Sequence, residues 1–309
     1  MSPRAWTGVA AGLGAGALWG LVFVAPRMVG HFGMVDITAA RFLVFGAVSG
    51  LAVFARPAAA RWPTGRQALV ALGLSVLGFS GYYLLLAFGI QAAGTEVPSL
   101  IIGTIPVWMM LLGRPAGLRM RALLPGLLLT GAGIALMIYG AWSARHGVGG
   151  MQGAGDGGAR FGWGIALAIA AMVSWTVYGL LNAAWLQRHA ELHAADWANW
   201  LGLATGLGAL LLWLAAGSDV ATLQARPGGA LFVWIALACG FGASWLGTIL
   251  WNVASQRLSA SLCGQLIVSE TLFALLYSFA WDGRWPQATE WVAALLFVLG
   301  ILASIKAHR

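Results

Sequence analysis

The sequence predicts an all-α integral membrane protein of ten transmembrane helices, arranged as two inverted five-helix repeats. Three observations carry this. The 309 residues are 60% hydrophobic and only 8% charged, with a mean hydropathy of +0.84, against roughly 25% charged in an ordinary soluble domain. Apolar runs of about 18–25 residues, the length that spans a bilayer as helix, recur along the whole chain. The longest connection, AWSARHGVGGMQGAGDGGAR (141–160), holds seven glycines and divides these runs five and five.

The runs place spans near residues 5–26, 35–54, 67–92, 95–113, 122–141, 161–186, 195–216, 228–254, 258–281 and 287–306. The first begins with one arginine and an apolar stretch, as a signal peptide does. It continues to Ala25 and many spans follow, so it reads as an uncleaved helix. The glycine-rich connection is a flexible linker, which gives a first repeat over 1–141, a linker over 142–160 and a second repeat over 161–309. Short segments match between the repeats: ALWGLVFV (17–24) with VSWTVYGL (173–180), LGFSGYYL (77–84) with FGASWLGT (241–248), and LIIGTIPVWMMLL (100–112) with QLIVSETLFALLY (265–277). Five helices per repeat make the second copy enter the membrane from the opposite side, an arrangement typical of secondary transporters.

Basic residues orient the chain. With the N-terminus inside, the inner face receives Arg4, Arg56, Arg61, Arg66, Arg114, Arg119, Arg121, Arg188, Arg257, Lys306 and Arg309. The outer face receives Arg27, Arg145, Arg160, Arg226 and Arg284. The positive-inside rule then puts both termini in the cytoplasm of a bacterial-type inner membrane. The formal net charge of +8 is thus a topology signal, and no nucleic-acid partner follows from it.

Several chemistries are excluded. The histidines (31, 146, 189, 193 and 308) fall in loops or the tail, away from any haem or metal site inside the bundle. Lys306 is the only lysine, so no span offers a Schiff base, and no GxxxxGK[ST] supplies an ATPase motor. Cys239 and Cys263 lie in apolar runs as packing residues. The chain is not expected to be an enzyme, and no cofactor or metal is expected.

ALWGLVFVAPR in the first span, ARFLVFG (40–46) in the second, SLIIGTIPVWMMLLG (99–113) in the fourth and SETLFALLY (269–277) in the ninth resemble the EamA type of the drug/metabolite transporter superfamily. The resemblance implies ten helices in two inverted halves around a central cavity. It also implies that amino acids, other metabolites or drugs are moved, often outward. The family's Glu-Pro in the ninth span is here Glu270-Thr271, so a kink is lost, and Asp282 stands near the place of the family's edge glutamate.

Polar residues inside the spans are the candidate site. Ser174, Tyr178, Asn182 and Trp185 share one face of the sixth span, and Ser244, Thr248, Asn252 and Ser255 one face of the eighth. Trp19 and Trp175 occupy equivalent repeat positions deep in their spans. With Tyr82, Tyr83 and Tyr178 they are expected to form an aromatic cavity wall, and Asn252, Gln265 and Glu270 to give polar contacts. Gly103, Pro106 and Ser99 belong to a fourth span expected to bend. Glu270 lies about four turns from either end of its span. A carboxylate there costs roughly 2.5–3.5 kcal/mol, burial disfavours its charged form, and it is expected to carry a proton or bind a substrate ammonium. Arg41 is read as structural, either snorkelling outward or pairing with Glu96. Trp6, Trp62, Trp142, Trp163, Trp197, Trp281, Trp285 and Trp291 read as the interfacial belt. Gly202, Gly206 and Gly208 either hold a dimer or pack inside the bundle.

The expected function is therefore a secondary exporter of small metabolites, amino acids first, working by alternating access in the lipid membrane as a monomer or weak homodimer, with proton coupling a candidate. The alternatives are an efflux carrier for lipophilic compounds and a lipid flippase.

Overall fold

The structure, a computed structural model, describes residues 2–56, 62–93, 98, 101–146, 157–283 and 285–308. It is all-helical over these residues, and nine helices among them are long and apolar enough to cross a membrane. They are α1 (Pro3–Met28), α2 (Met34–Phe54), α3 (Gly65–Ala93), α5 (Met120–His146), α6 (Gly157–Arg188), α7 (Ala194–Ala216), α8 (Gly229–Arg257), α9 (Ala260–Asp282) and α10 (Ala288–Ala307). Between α3 and α5 the helix α4 is described over Ile105–Leu112. Helix also reaches into both ends of the expected linker, to His146 and from Gly157, and residues 147–156 lie outside the described residues.

The fourth span, expected to bend, is interrupted by a turn. Gly103 and Thr104 form a turn, and Pro106 stands in the first turn of α4. A proline there lacks the N–H an interior residue would donate and its ring would meet the carbonyl four residues back, so the helix restarts at Ile105. The Thr104 hydroxyl stitches the break, donating to Ile101 O at 2.6 Å and accepting from Trp108 Nε1 at 3.2 Å. Gly103 is exposed in this turn. Ser99 and Glu96 are outside the described residues. The ninth span, lacking its proline, runs unbroken.

The most extensive helix pairings join the first half to the second: α2 with α7, α1 with α9 and α8, α5 with α10, α3 with α6, and α4 with α9. Adding five to each number maps these pairs onto one another, α1–α8 exchanging with α3–α6, except that α1–α9 becomes the smaller α4–α6 contact. Glycines make the tightest contacts. A Cβ on Gly12, Gly16 or Gly20 of α1 would collide with Leu266, Ser269 or Phe273 and Ala274 of α9. The small-xxx-small spacing at Gly16 and Gly20 thus serves close helix approach, as its sequence suggests. Gly202, Gly206 and Gly208 also pack inside the bundle: Gly206 abuts Gly46, Gly202 abuts Phe45 and Ser49, and Gly208 abuts Ser80. This face is used up within one chain.

Both α3 and α8 contain a π-helical stretch, Val76–Ser80 and Ala238–Leu246. In the register that matches LGFSGYYL with FGASWLGT these stretches overlap. Each frees a carbonyl. Gly81 N–H bonds Val76 O instead of Leu77 O, and the Leu77 carbonyl accepts Ser174 Oγ from α6 at 2.7 Å. Gly247 N–H bonds Gly242 O, and the Ala243 carbonyl accepts Trp19 Nε1 from α1 at 2.9 Å. A backbone carbonyl left bare in lipid costs several kcal/mol, so each wide turn is completed by a donor from the other half.

Candidate functional site

The interior carries an aromatic cluster built from both halves. Trp19 meets Trp175 edge-on at 6.2 Å between ring centres and Trp251 at 5.4 Å, while Trp175 and Trp251 lie 5.9 Å apart. Tyr178 extends the cluster, 5.9 Å from Trp175 and 5.4 Å from Phe79. Its ring lies against Gly78, where any Cβ would collide with it. Edge-on pairs of this kind add about 0.5–1.5 kcal/mol beyond burial. Trp19 is fixed further by its bond to Ala243 and by Gly247, whose Cβ would sit 2.8 Å from the indole nitrogen. Trp19 and Trp175 keep some accessible surface, whereas Tyr178 and Trp251 are buried.

A second group joins α2, α3 and α9. Glu270, Arg41 and Tyr82 interact electrostatically with one another, and each retains accessible surface deep in the bundle. Arg41 and Glu270 form no direct ion pair, and among the described residues no hydrogen bond reaches the Glu270 carboxyl. Arg41 Nε is buried without a partner among the described residues, and its guanidinium carbon sits 4.3 Å from the centre of the Phe42 ring. Arg41 therefore faces inward, near Glu270, and does not snorkel outward, one of the two placements expected of it; the other, a pair with Glu96, lies outside the described residues. Gly16 of α1 brings its helix against the Glu270 backbone, where a Cβ would stand 3.1 Å from Glu270 N.

The remaining candidates divide from these groups. Gln265 is fully buried among α5, α9 and α10, donating to Thr130 Oγ1 at 2.9 Å and accepting from Ser304 Oγ at 3.0 Å. Asn252 accepts from Asn182 Nδ2 at 3.1 Å and donates to Ala194 O at 3.2 Å, and Asn182 accepts from Trp197 Nε1 at 2.8 Å. Both amides are spent on neighbouring helices. Tyr83 donates to Met34 O at 2.8 Å and packs edge-on against Phe42. Ser244 and Thr248 carry buried hydroxyls with no partner among the described residues. Trp197 is fully buried and stacked on Trp185, so it leaves the interfacial belt; the Asn182 acceptor explains why an indole N–H is satisfied there. Trp6, Trp62, Trp163, Trp281, Trp285 and Trp291 are exposed as a belt requires, and the Trp142 side chain lies outside the described residues.

Sequence reasoning missed Trp251, Phe79 and the inward Arg41. Trp251 lies seven residues after Ser244 and three after Thr248, on the polar stripe itself, and that spacing was the available signal.

Ion pairs close both ends of the bundle between halves. At one end Arg27 of α1 bonds Asp282 of α9 at 2.5 Å and Ser278 at 2.7 Å. At the same end Asp36 accepts from Ser218 N and Oγ, both at 2.8 Å, and from Arg226 at 3.1 Å. At the other end Arg56 pairs with Asp196.

The chain matches the EamA-like transporter family over residues 6–139 and 162–305. It belongs to that family. The drug/metabolite transporter superfamily is thereby its place, and it is a multi-pass membrane protein. It is 31% identical to inner membrane protein YtfF of Escherichia coli K12, over 97% of this chain and 95% of that one. It is 28% identical to a probable terminal-alkyne amino-acid exporter of Streptantibioticus cattleyicolor, over 92% and 88% respectively. A solved crystal structure superposes with TM-score 0.77 over 98% of this chain and 97% of the other, at 21% identity, which speaks to the fold. The EamA membership points to transport and away from catalysis.

Proposed function

We propose that this EamA protein is a secondary exporter of small zwitterionic metabolites, amino acids first, working by alternating access between two inverted halves. The carrying observation is the pair Arg41 and Glu270, a base and an acid that share the interior of the bundle without a direct ion pair. A zwitterion placed between them sets its carboxylate toward Arg41, where a bidentate pair is available, and its ammonium toward Glu270. Charged side chains at this depth are costly, and substrate or proton pathways are where they are kept. Trp19, Trp175 and Tyr82 then form the side-chain wall, with Tyr178, Tyr83, Asn252 and Gln265 holding the helices that carry it. Gly103 and Pro106, at the α4 break, are the proposed flexing point.

The exchange of helix pairs, the paired π stretches and the family match on each side of 147–156 support two inverted halves. The arginine bias supports cytoplasmic termini. The amino-acid exporter relative supports the substrate class. In proteoliposomes loaded with labelled amino acids under a pH gradient, wild type is expected to show gradient-driven flux. Glu270→Gln should abolish the gradient dependence, and Arg41→Gln should weaken half-saturation at least tenfold. Equal flux and affinity in all three proteins would overturn the assignment, and inhibition by hydrophobic cations but not by amino acids would transfer it to lipophilic substrates.

A further inference from the structure

A groove of about 360 Å³ runs between α3 and α6 on the outer wall of the bundle. Its size falls in the range of about 300–1,000 Å³ typical of ligand sites. Val70, Leu74, Leu77 and Leu181 form its apolar lining. Leu181 is half-exposed and Gly73 is exposed, so the groove opens toward the surrounding lipid. Its mouth is different. Arg66 lies in the first turn of α3 and Arg188 is the last residue of α6, so two guanidinium groups stand where both helices leave the apolar layer. Both are exposed and, among the described residues, neither pairs with a carboxylate. Arg66 is held over the Trp185 ring, 5.7 Å from its centre, and Trp185 stacks on His189 at 3.9 Å.

We propose that this groove binds one anionic phospholipid, its phosphate on Arg66 and Arg188 and an acyl chain along Val70, Leu74 and Leu77. The occupant follows from charge complementarity. An apolar slot alone would accept any lipid tail, but two unpaired arginines at headgroup depth select a net negative headgroup. Arginine is also the side chain whose fork matches phosphate geometry. The mouth lies at the end of the bundle that carries Arg4, Arg56, Arg119, Arg121 and Arg257. That is the leaflet side where basic pockets between helices meet anionic headgroups. The groove is separate from the Arg41–Glu270 region and the proposal does not depend on the transported substrate.

The test uses the full chain in nanodiscs of phosphatidylcholine doped with phosphatidylglycerol, reading retained lipid by native mass spectrometry after mild delipidation. Wild type is expected to hold one phosphatidylglycerol per chain. The double variant Arg66→Gln/Arg188→Gln should hold roughly tenfold less or below. Arg119→Gln/Arg121→Gln, which removes equal charge from the same face outside the groove, should match wild type. Gly73→Leu tests the slot itself: a Cβ at Gly73 meets no atom within 4 Å, so the fold tolerates the leucine while its side chain fills the groove, and retention should fall without loss of melting temperature. Equal retention in the arginine double variant, or an equal loss in both charge variants, would overturn the site in favour of a diffuse basic face. Retention unchanged in Gly73→Leu would overturn the acyl slot.

Discussion

Replacing Asn252 by leucine removes an amide whose hydrogen bonds all go to the protein's own groups and keeps the branched outline of the side chain, so the lost hydrogen bonds set the least it should cost. Two bonds disappear, from Asn182 Nδ2 at 3.1 Å and to Ala194 O at 3.2 Å, while Trp197 keeps its acceptor on Asn182. Both groups that lose this partner sit at buried positions. Interhelical bonds in membrane proteins average about 0.6 kcal/mol each and reach about 1.7. The variant should therefore lose about 1 kcal/mol, rising to about 3 kcal/mol if both bonds sit at the upper end. Reversible unfolding in mixed micelles, followed by tryptophan fluorescence, measures this directly, and Trp197 reports from the network itself. Adding Asn182→Leu should cost less than its effect alone, since the two share a bond. Transport by the folded fraction should persist. A variant of wild-type stability that has lost transport would refute the reasoning and return Asn252 to the substrate-binding group.

Other outcomes follow from the same geometry. Gly16→Val should destabilise by about 1–3 kcal/mol and lower the yield of folded protein in a thermal assay, because its Cβ would collide with Ser269 and press on the Glu270 backbone. Trp19→Phe keeps a ring but strips the donor from the Ala243 carbonyl, and should cost about 0.5–1.5 kcal/mol in the same unfolding measurement. Asp36→Asn breaks a carboxylate that is 4% exposed and holds three donors, with an expected loss of about 3 kcal/mol. Asp282→Asn should change stability by less than about 1 kcal/mol, since its partner Arg27 is half-exposed. The ranking of those two melting temperatures checks both.

Span positions were legible because apolar length is imposed by the bilayer, and the α1 glycines because close approach has a spacing of its own. Trp19 and Trp175, paired by their place in the sequence, meet edge-on in the interior. What escaped the sequence has identifiable causes. A π turn inserts a residue and rotates everything after it by about 100°, so faces counted across Val76–Ser80 or Ala238–Leu246 lose their phase. Trp197 lies at a helix start, where position suggests the lipid interface, but only the tertiary structure reveals the Asn182 acceptor waiting inside. Arg41 could be assigned no inward partner from its own span, because Glu270 lies far along the chain. Gln265 and Glu270 share a helix five residues apart, yet the amide of one is latched to α5 and α10 while the carboxyl of the other meets no hydrogen-bond partner among the described residues.

The crosswise donors at the two π stretches bear on how the chain is made. Ser174 is synthesised about a hundred residues after Leu77, and Trp19 long before Ala243. The ribosome thus delivers α3 to the membrane with an acceptor that stays unanswered until α6 emerges, while the Trp19 donor waits for α8. Cut within 147–156 and expressed as separate polypeptides, each piece would carry half of both bonds. Neither should survive quality control alone, whereas co-expression of the two fragments should restore both to the membrane.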